Sequence, residues 1–311
     1  MNQTPTLLEI VPRDISAYRK GNTGIDYVHR FESGRPGPHV LISSLIHGNE
    51  ICGMYAATYL LDKGVRPKIG TLTVSFANVE AYEAFDPEHP FENRQLVHNM
   101  NRIWSPELLD GSDDSPELRR ARLLRPVLDQ ADHILDIHST SQDVAPFWAY
   151  LDHKRNRAVA SAIGRPSIHL VMPGGLGTGK LVIEYVPPGL TTRQGTALVI
   201  ECGQHFRSSA AEMAITVTHD FLAHFGLIAQ DPATSAPSTE RRYELLQTYM
   251  VKADNFAFTR PLLGFETFAK GELIAINGTE EIRAPCDDCR VFLPTRAPII
   301  GREAVVLTRP L

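Results

Sequence analysis

Two histidines and one glutamate have the residue types and the spacing of a metal site. His47 and Glu50 form an H-x-x-E pair directly after the apolar run at residues 40–46, and His138 directly follows residues 132–137, which read as a buried strand. Zinc binds imidazole nitrogen and carboxylate oxygen, and a catalytic zinc site has three protein ligands with its fourth position left to water. We therefore predict that His47, Glu50 and His138 bind one zinc ion per chain.

Two further acids could take part in the chemistry of such a site. Glu201 follows the apolar run at residues 197–200, so we expect it to emerge near His138 and to accept the proton of a zinc-bound water. Asp136 could accept the second N–H of a ligating imidazole. The alternatives are an ordinary strand-terminal charge in water for Glu201 and a buried acid that caps a neighbouring loop for Asp136.

The order of four motifs along the chain resembles a known family. The motifs are His47-x-x-Glu50, Asn101-Arg102, Asp136-Ile137-His138-Ser139-Thr140 and Ile200-Glu201-Cys202-Gly203. Together they resemble the succinylglutamate desuccinylase and aspartoacylase group of zinc hydrolases, which are relatives of the zinc carboxypeptidases. The resemblance covers residues 38–228 with the motifs and the remainder of the chain more loosely. It implies a mixed α/β sheet flanked by helices, with Glu201 as the general base.

The resemblance also implies which residues line the pocket. Arg94 matches an arginine that helps to polarise the scissile carbonyl, and Asn101 with Arg102 matches a pair that holds a substrate carboxylate. A guanidinium can bind a carboxylate through two parallel hydrogen bonds, and it can stabilise an oxygen that gathers negative charge. The alternative for both arginines is a solvated position in a loop, because surface arginine is common.

Two features depart from aspartoacylase. Arg193 resembles a further carboxylate-binding arginine, but its spacing to Glu201 is shorter. Aspartoacylase also has a substrate-contacting tyrosine after Glu-Ala near the C-terminus, whereas residues 303–306 here read Glu-Ala-Val-Val. The resemblance therefore implies Arg193 as a substrate-binding residue without implying specificity for aspartate.

Composition limits the class of protein. The 311 residues carry a formal net charge of -5, which argues against nucleic acid as the main partner, although a local basic pocket stays open. The N-terminus lacks a secretory signal, and no apolar run is long enough to span a membrane, so we expect a cytoplasmic protein without a membrane partner. The four cysteines do not form a disulfide framework. The sequence leaves open whether the chain forms a homo-oligomer.

Strand-like and helix-like runs alternate along residues 26–228, which is typical of a sheet covered by helices. The predicted strands are residues 27–31, 40–46, 71–77, 133–138, 147–151, 168–172 and 197–201. The predicted helices are residues 49–63, a helix capped by Ser115, and residues 209–225, which begin with a capping box. The turn-forming residues 230–239 mark a domain boundary. We therefore predict a catalytic domain at residues 1–229 and a small β domain at residues 240–311, which begins with a short helix at residues 243–249.

Two further motifs suggest functions that their context does not support. Residues 174–181 nearly fit a phosphate-binding loop, but Leu181 replaces the hydroxyl that ligates magnesium, and residues 181–186 read as a strand rather than a helix. A mobile glycine-rich loop near the pocket is the better interpretation. Cys286 and Cys289 have CxxC spacing without a second CxxC, which favours two loop thiols.

The sequence thus predicts a zinc-dependent hydrolase that cleaves the amide bond of an N-acyl amino acid. A carboxypeptidase or a deacylase of other amides would use the same machinery with a different pocket. A zinc-containing binding protein without turnover is the alternative from a different class. Activity on a substrate with a blocked carboxylate would favour the carboxypeptidase or general deacylase over the N-acyl amino acid hydrolase. A panel of N-acyl amino acids that all stay uncleaved would favour the binding protein.

Overall fold

The computed structural model describes residues 7–230 and 239–311. The predicted domain boundary at residues 230–239 falls mostly outside these residues. The strands, numbered in chain order, are β1 (Val28–Glu32), β2 (His39–Ser44), β3 (Thr71–Phe76), β4 (His133–Thr140), β5 (Phe147–Leu151), β6 (Ile168–Met172), β7 (Thr196–Gln204), β8 (Arg241–Met250), β9 (Ala257–Phe258), β10 (Thr267–Phe268), β11 (Leu273–Asn277), β12 (Glu280–Arg283), β13 (Cys289–Phe292) and β14 (Glu303–Pro310). The α-helices are α1 (Cys52–Asp62), α2 (Val79–Glu83), α3 (Pro106–Leu109), α4 (Pro116–Gln130), α5 (Lys154–Ile163) and α6 (Ser208–His224).

Eleven strands form one mixed sheet in the order β1-β3-β2-β4-β7-β5-β6-β8-β14-β13-β10. Strands β3, β2, β4 and β7 run parallel at the centre of the site-bearing half. Their carboxyl ends therefore meet at one edge of the sheet, which is where ligands bind in open α/β folds. Strands β9, β11 and β12 form a separate three-stranded sheet. The predicted fold class is confirmed.

The two faces of the large sheet are covered by different helices. On β2, Val40 and Ile42 belong to the apolar cluster that includes residues of α1, α5 and α6, whereas Leu41 belongs to the cluster that includes residues of α4. This alternation follows from the period of two in a strand. All six residues of β2 are buried, so both faces of this strand are covered.

Two of the helix starts test the predicted caps. The side chain of Ser115 accepts a hydrogen bond from the backbone N–H of Leu118 at 3.1 Å, and Pro116 occupies the first turn of α4. The cap at Ser115 is therefore confirmed. The predicted capping box at Ser209 is wrong, because α6 begins one residue earlier, after Arg207, and the N–H of Ser208 donates instead to the carboxylate of Glu9 at 3.0 Å.

The C-terminal residues contribute to both sheets. Residues 243–249 lie in strand β8, so the predicted short helix is wrong. Strand β8 pairs with β6 and β14, and these distant partners outweigh the local helical pattern. Strands β10, β13 and β14 extend the large sheet, while Ile274 and Ile282 of the small sheet share an apolar cluster with Val291 and Val305. The division into domains 1–229 and 240–311 stays a prediction.

Among the described residues, no helix is both long enough and apolar enough to span a bilayer.

Candidate functional site

The three predicted metal ligands lie together at the carboxyl edge of the sheet. His47 follows β2 and His138 lies near the end of β4, and these neighbouring strands are parallel with Ser44 opposite Ile137. Glu50 lies in the turn that leads into α1. One ligand atom from each of His47, Glu50 and His138 lies within 4.8 Å of the other two, and all three residues are buried. The group has the composition and the spacing to hold a metal ion.

The two imidazoles present the same nitrogen to Glu50. Nδ1 of His47 lies 2.8 Å from Oε1 of Glu50, and Nδ1 of His138 lies 2.8 Å from Oε2 of the same carboxylate. The Nε2 atoms point the other way, at 2.9 Å from Oδ1 of Asn99 for His47 and at 2.6 Å from Oδ2 of Asp136 for His138. Each imidazole can therefore donate Nε2–H outward while its Nδ1 lone pair faces the centre of the group.

The pKa values within this group follow from burial and close charges. Burial lowers the pKa of His47 to about 4, with a further contribution from the Arg94 cation. Burial opposes ionisation of Glu50, but His47, His138 and Arg94 hold its pKa well below the usual range. Burial also disfavours the His138 cation, yet the Asp136 and Glu50 carboxylates raise its pKa well above the usual range. Glu50 is therefore an ionised carboxylate, stabilised by the positive charge of its neighbours.

Glu201 lies beside the metal group rather than at the end of its strand. Strand β7 continues to Gln204, and Glu201 is the direct Cα partner of His138 on the neighbouring parallel strand. Burial raises the pKa of Glu201 to about 8, while the His138 cation opposes this shift. Its Oε2 atom has no hydrogen-bond partner within the described part of the chain. A carboxylate with a free oxygen next to a metal-binding group can accept a proton.

Arg94 and Asn101 also reach the ligands. The Arg94 guanidinium donates to Oε1 of Glu50, and a third of its side chain stays exposed. Nδ2 of Asn101 lies 3.5 Å from Nε2 of His138, while Oδ1 of Asn101 accepts the backbone N–H of Val182 at 2.9 Å. The structure thus brings both residues to the edge of the metal group, although the side-chain amide oxygen of Asn101 already accepts a hydrogen bond from Val182.

Arg102 is paired with a carboxylate of the protein itself. Its Nε and Nη2 atoms donate to Oε1 and Oε2 of Glu303, each at 2.7 Å, and Nε also donates to Oγ1 of Thr178 at 2.9 Å. Burial opposes ionisation of Glu303, but the Arg102 cation holds its pKa below the usual range. The glycine-rich loop that contains Thr178 therefore lies against the predicted substrate-binding residues. Residues 182–184 form a 3-10 turn, so the strand predicted at residues 181–186 is wrong.

Arg193 lies at the opposite edge of the sheet. It precedes β7, and its guanidinium donates to the carbonyl oxygens of Ala131 and Leu128 at 2.7 and 3.1 Å. Thr196, which opens β7, pairs with His133, whereas Glu201 pairs with His138. Five residues of strand separate these pairs, which corresponds to about 16 Å. This placement corrects the prediction that Arg193 binds substrate: it caps the last turn of α4.

Asn99 and Glu303 also belong to this region, although the sequence did not predict them. Asn99 accepts from Nε2 of His47, and its only local signal is its position two residues before Asn101. Glu303 lies 201 residues after its partner Arg102, so no local pattern indicates the pair. Cys286 and Cys289 are both free thiols, but only Cys286 is the predicted loop thiol, because Cys289 is buried and opens β13.

The residues at the centre fit a zinc ion. Two imidazole nitrogens and one carboxylate oxygen are the donor set of many catalytic zinc sites. The outward hydrogen bonds to Asn99 and Asp136 fix the tautomers that would leave both Nδ1 lone pairs free for a metal. The unpartnered Oε2 atom of Glu201 leaves a polar group free for a water molecule.

Comparison with known proteins gives the same family as the motifs. Residues 36–172 match the succinylglutamate desuccinylase/aspartoacylase catalytic domain. No protein of curated function matches the sequence.

Solved structures of low sequence identity share the fold. Succinylglutamate desuccinylase from Vibrio parahaemolyticus is 16% identical, with 92% of this chain and 86% of that chain covered and a TM-score of 0.69. The product-bound ectoine utilization protein EutE (DoeB) from Ruegeria pomeroyi is 17% identical, with 91% and 88% covered and a TM-score of 0.60. An aspartoacylase family protein from Mesorhizobium loti is 21% identical, with 94% and 93% covered and a TM-score of 0.61.

Proposed function

The chain belongs to the succinylglutamate desuccinylase/aspartoacylase family, and from this premise we propose that it is a zinc-dependent hydrolase that cleaves the amide bond of an N-acyl amino acid. One observation carries the proposal. The group formed by His47, Glu50 and His138 lies beside Glu201, a partly buried acid with a free carboxylate oxygen. This is the combination that amide hydrolysis by an activated water requires.

Glu201 acts as the general base and then as the general acid. Its carboxylate takes a proton from the attacking water as the new C–O bond forms, and it returns that proton to the nitrogen as the C–N bond breaks. A zinc ion held by His47, Glu50 and His138 would supply a water with a pKa of about 7, polarise the carbonyl and favour the ionised form of Glu201.

Arg94 stabilises the oxygen that becomes negative during the reaction. Its guanidinium already lies against Glu50, and a third of its side chain is exposed to solvent. A fixed cation near a developing oxyanion strengthens its interaction as the charge grows, so it lowers the barrier rather than only binding the substrate.

Arg102 holds the carboxylate of the amino acid, with Asn101 beside it. Glu303 occupies two of the five N–H groups of Arg102. A substrate carboxylate must share the guanidinium with Glu303 or displace it. Glu303 therefore orients Arg102 before binding and makes the contact weaker than that of a free guanidinium.

The experiment that tests the proposal is a panel of acetyl-, succinyl- and formyl-amino acids, assayed for release of free amine by the zinc-loaded protein. We expect turnover of at least one member and little turnover of the matching carboxamide, which lacks the partner of Arg102. Equal activity on both would favour a general amide deacylase. A panel that stays uncleaved while zinc is bound would favour a binding protein without turnover.

Arg102→Ala sharpens this test. The loss of a charge-assisted contact of roughly 2 kcal/mol lowers kcat/KM for the carboxylate substrate by about thirtyfold. The same change has little effect on the carboxamide, because that substrate makes no such contact. Equal losses on the two substrates would show that Arg102 does not bind the carboxylate.

A further inference from the structure

Glu117 has a buried carboxylate whose partners are all backbone N–H groups. It lies in the first turn of α4 and is completely inaccessible to solvent. Oε1 accepts from the N–H of Leu96 at 2.6 Å and of Val97 at 3.3 Å, and Oε2 accepts from Val97 at 3.3 Å and His98 at 3.1 Å. Among residues 7–230 and 239–311, no salt bridge reaches this carboxylate. The three N–H groups therefore replace the water that burial removed.

These three N–H groups belong to a segment with little other support. Residues 94–99 form neither helix nor strand. The side chains of Leu96 and Val97 are 41% and 58% exposed, so they add little burial. The backbone of this stretch is consequently held in place by Glu117 rather than by packing of its own side chains.

The same segment contacts two of the three metal ligands, and Asn101 just beyond it lies close to the third. Arg94 donates to Glu50, and Gly48 next to His47 donates its N–H to the carbonyl of Arg94 at 3.0 Å. Asn99 accepts from Nε2 of His47 at 2.9 Å. A few residues further on, Asn101 lies 3.5 Å from Nε2 of His138. A shift at residues 96–98 would therefore reach the metal group through Arg94 on one side of the segment and through Asn99 on the other.

We propose that Glu117 is a positioning residue of the active site, which sets the metal affinity and the reactive geometry by fixing the backbone of residues 96–98. It acts through Asn99 on the orientation of His47, and through Arg94 on the charge beside Glu50. The effect on turnover rests on the proposed hydrolase function, whereas the effect on metal affinity does not.

The test is Glu117→Gln, which keeps the size of the side chain but turns one acceptor oxygen into an amide donor facing N–H groups. The backbone amides of Leu96, Val97 and His98 should exchange faster in a hydrogen-deuterium exchange measurement. Zinc affinity, measured by competition with a chromogenic chelator, should fall by about tenfold to a hundredfold, because Asn99 loses its fixed position against His47. The kcat on the best substrate should fall by on the order of a hundredfold with a smaller change in KM.

Ser115→Ala is the matched control. It removes the N-cap of the same helix and weakens the same first turn, but within the described residues the hydrogen bonds of Ser115 go to Leu118 and Arg119 of α4 and not to residues 94–102. This variant should lose thermal stability while zinc affinity, kcat and the exchange of the three amides stay at the wild-type level. If Glu117→Gln behaves like Ser115→Ala in these measurements, Glu117 only stabilises α4 and the proposal is wrong.

A second variant covers the case in which Glu117→Gln fails to fold. Glu117→Asp keeps the charge at the start of α4 but withdraws the carboxylate by one methylene, so it should show the same three changes at smaller size. Wild-type zinc affinity and wild-type amide exchange in a folded Glu117→Asp protein would overturn the proposal. A protein that binds zinc in a Glu117-dependent way but cleaves no substrate would refute the hydrolase function alone.

Discussion

The two ends of strands β4 and β7 carry similar polar residues, but these residues have different kinds of hydrogen-bond partner at the two ends. At the carboxyl end, His138, Asp136 and Glu201 face other side chains or have a free polar atom. At the amino end, His133 pairs with Oγ1 of Thr196, and Arg193 donates to main-chain carbonyls. Polar groups at the amino end therefore complete the fold.

The difference shows how a site can be distinguished from a structural polar cluster. A buried histidine or arginine whose hydrogen bonds go to neighbouring backbone or hydroxyl groups has its requirements met within the protein. At the carboxyl end, two Nδ1 atoms and two carboxylate oxygens converge on one another. Nitrogen lone pairs and carboxylate oxygens this close repel one another unless a proton or a cation lies between them. The following predictions compare the two ends.

The largest effect is expected for His138→Ala compared with His133→Ala. Removal of His138 takes one of three ligands from the metal group, so zinc should be lost on dialysis and turnover should drop to background. His133→Ala should keep about one zinc per chain, because its partner is a hydroxyl of the neighbouring strand. Elemental analysis of both purified proteins measures this. Full zinc content in His138→Ala would mean that the metal site is wrongly assigned.

Glu201→Gln should have the next largest effect. Glutamine keeps the shape of the side chain but cannot accept a proton, so kcat should fall by about a hundredfold to ten-thousandfold. Zinc content should stay at the wild-type level, because Glu201 is not a ligand. Steady-state kinetics with parallel metal analysis separates the two properties. Turnover within a few-fold of wild type would exclude Glu201 as the base.

The two arginines give the third comparison. Arg94→Ala should lower kcat by roughly a hundredfold, because a cation beside the developing oxyanion is lost. Arg193→Ala should leave kcat within about twofold while it lowers the free energy of unfolding by about 1 to 3 kcal/mol, since two buried carbonyls of α4 lose their donor. Kinetics and urea unfolding measure the two effects. A large loss of kcat in Arg193→Ala with an unchanged free energy of unfolding would show that Arg193 binds substrate.

Asp136→Asn compared with Asp132→Asn should give the smallest difference, which is one of zinc affinity. Oδ2 of Asp136 accepts from His138, and Oδ1 accepts from the hydroxyl of Ser43 at 3.0 Å. An amide there keeps the geometry but removes the charge, so zinc affinity should fall by about tenfold to a hundredfold. Asp132 accepts the backbone N–H of His39 at the amino end, and its change to asparagine should leave zinc affinity unaltered. Chelator competition measures both, and equal affinities would leave Asp136 without a role at the metal.

The sequence by itself determined the features that depend on nearby residues. The apolar runs of β2, β4 and β7 predicted buried strands, and parallel strands place their carboxyl ends at one edge. His47, Glu50 and His138 could be identified as a group because each lies at or just beyond such an end. The cap at Ser115 is likewise local. These predictions held because strand burial and capping are decided within a few residues.

Only the tertiary structure decided the contacts between distant parts of the chain. Arg102 and Arg193 share the same prediction of a substrate-binding role, yet one pairs with Glu303 and the other caps α4. Strand β8 replaced a predicted helix because its partners are supplied by β6 and β14. The direction of an arginine and the pairing of a strand depend on which groups the completed fold leaves without a partner, and that becomes defined only when distant segments meet.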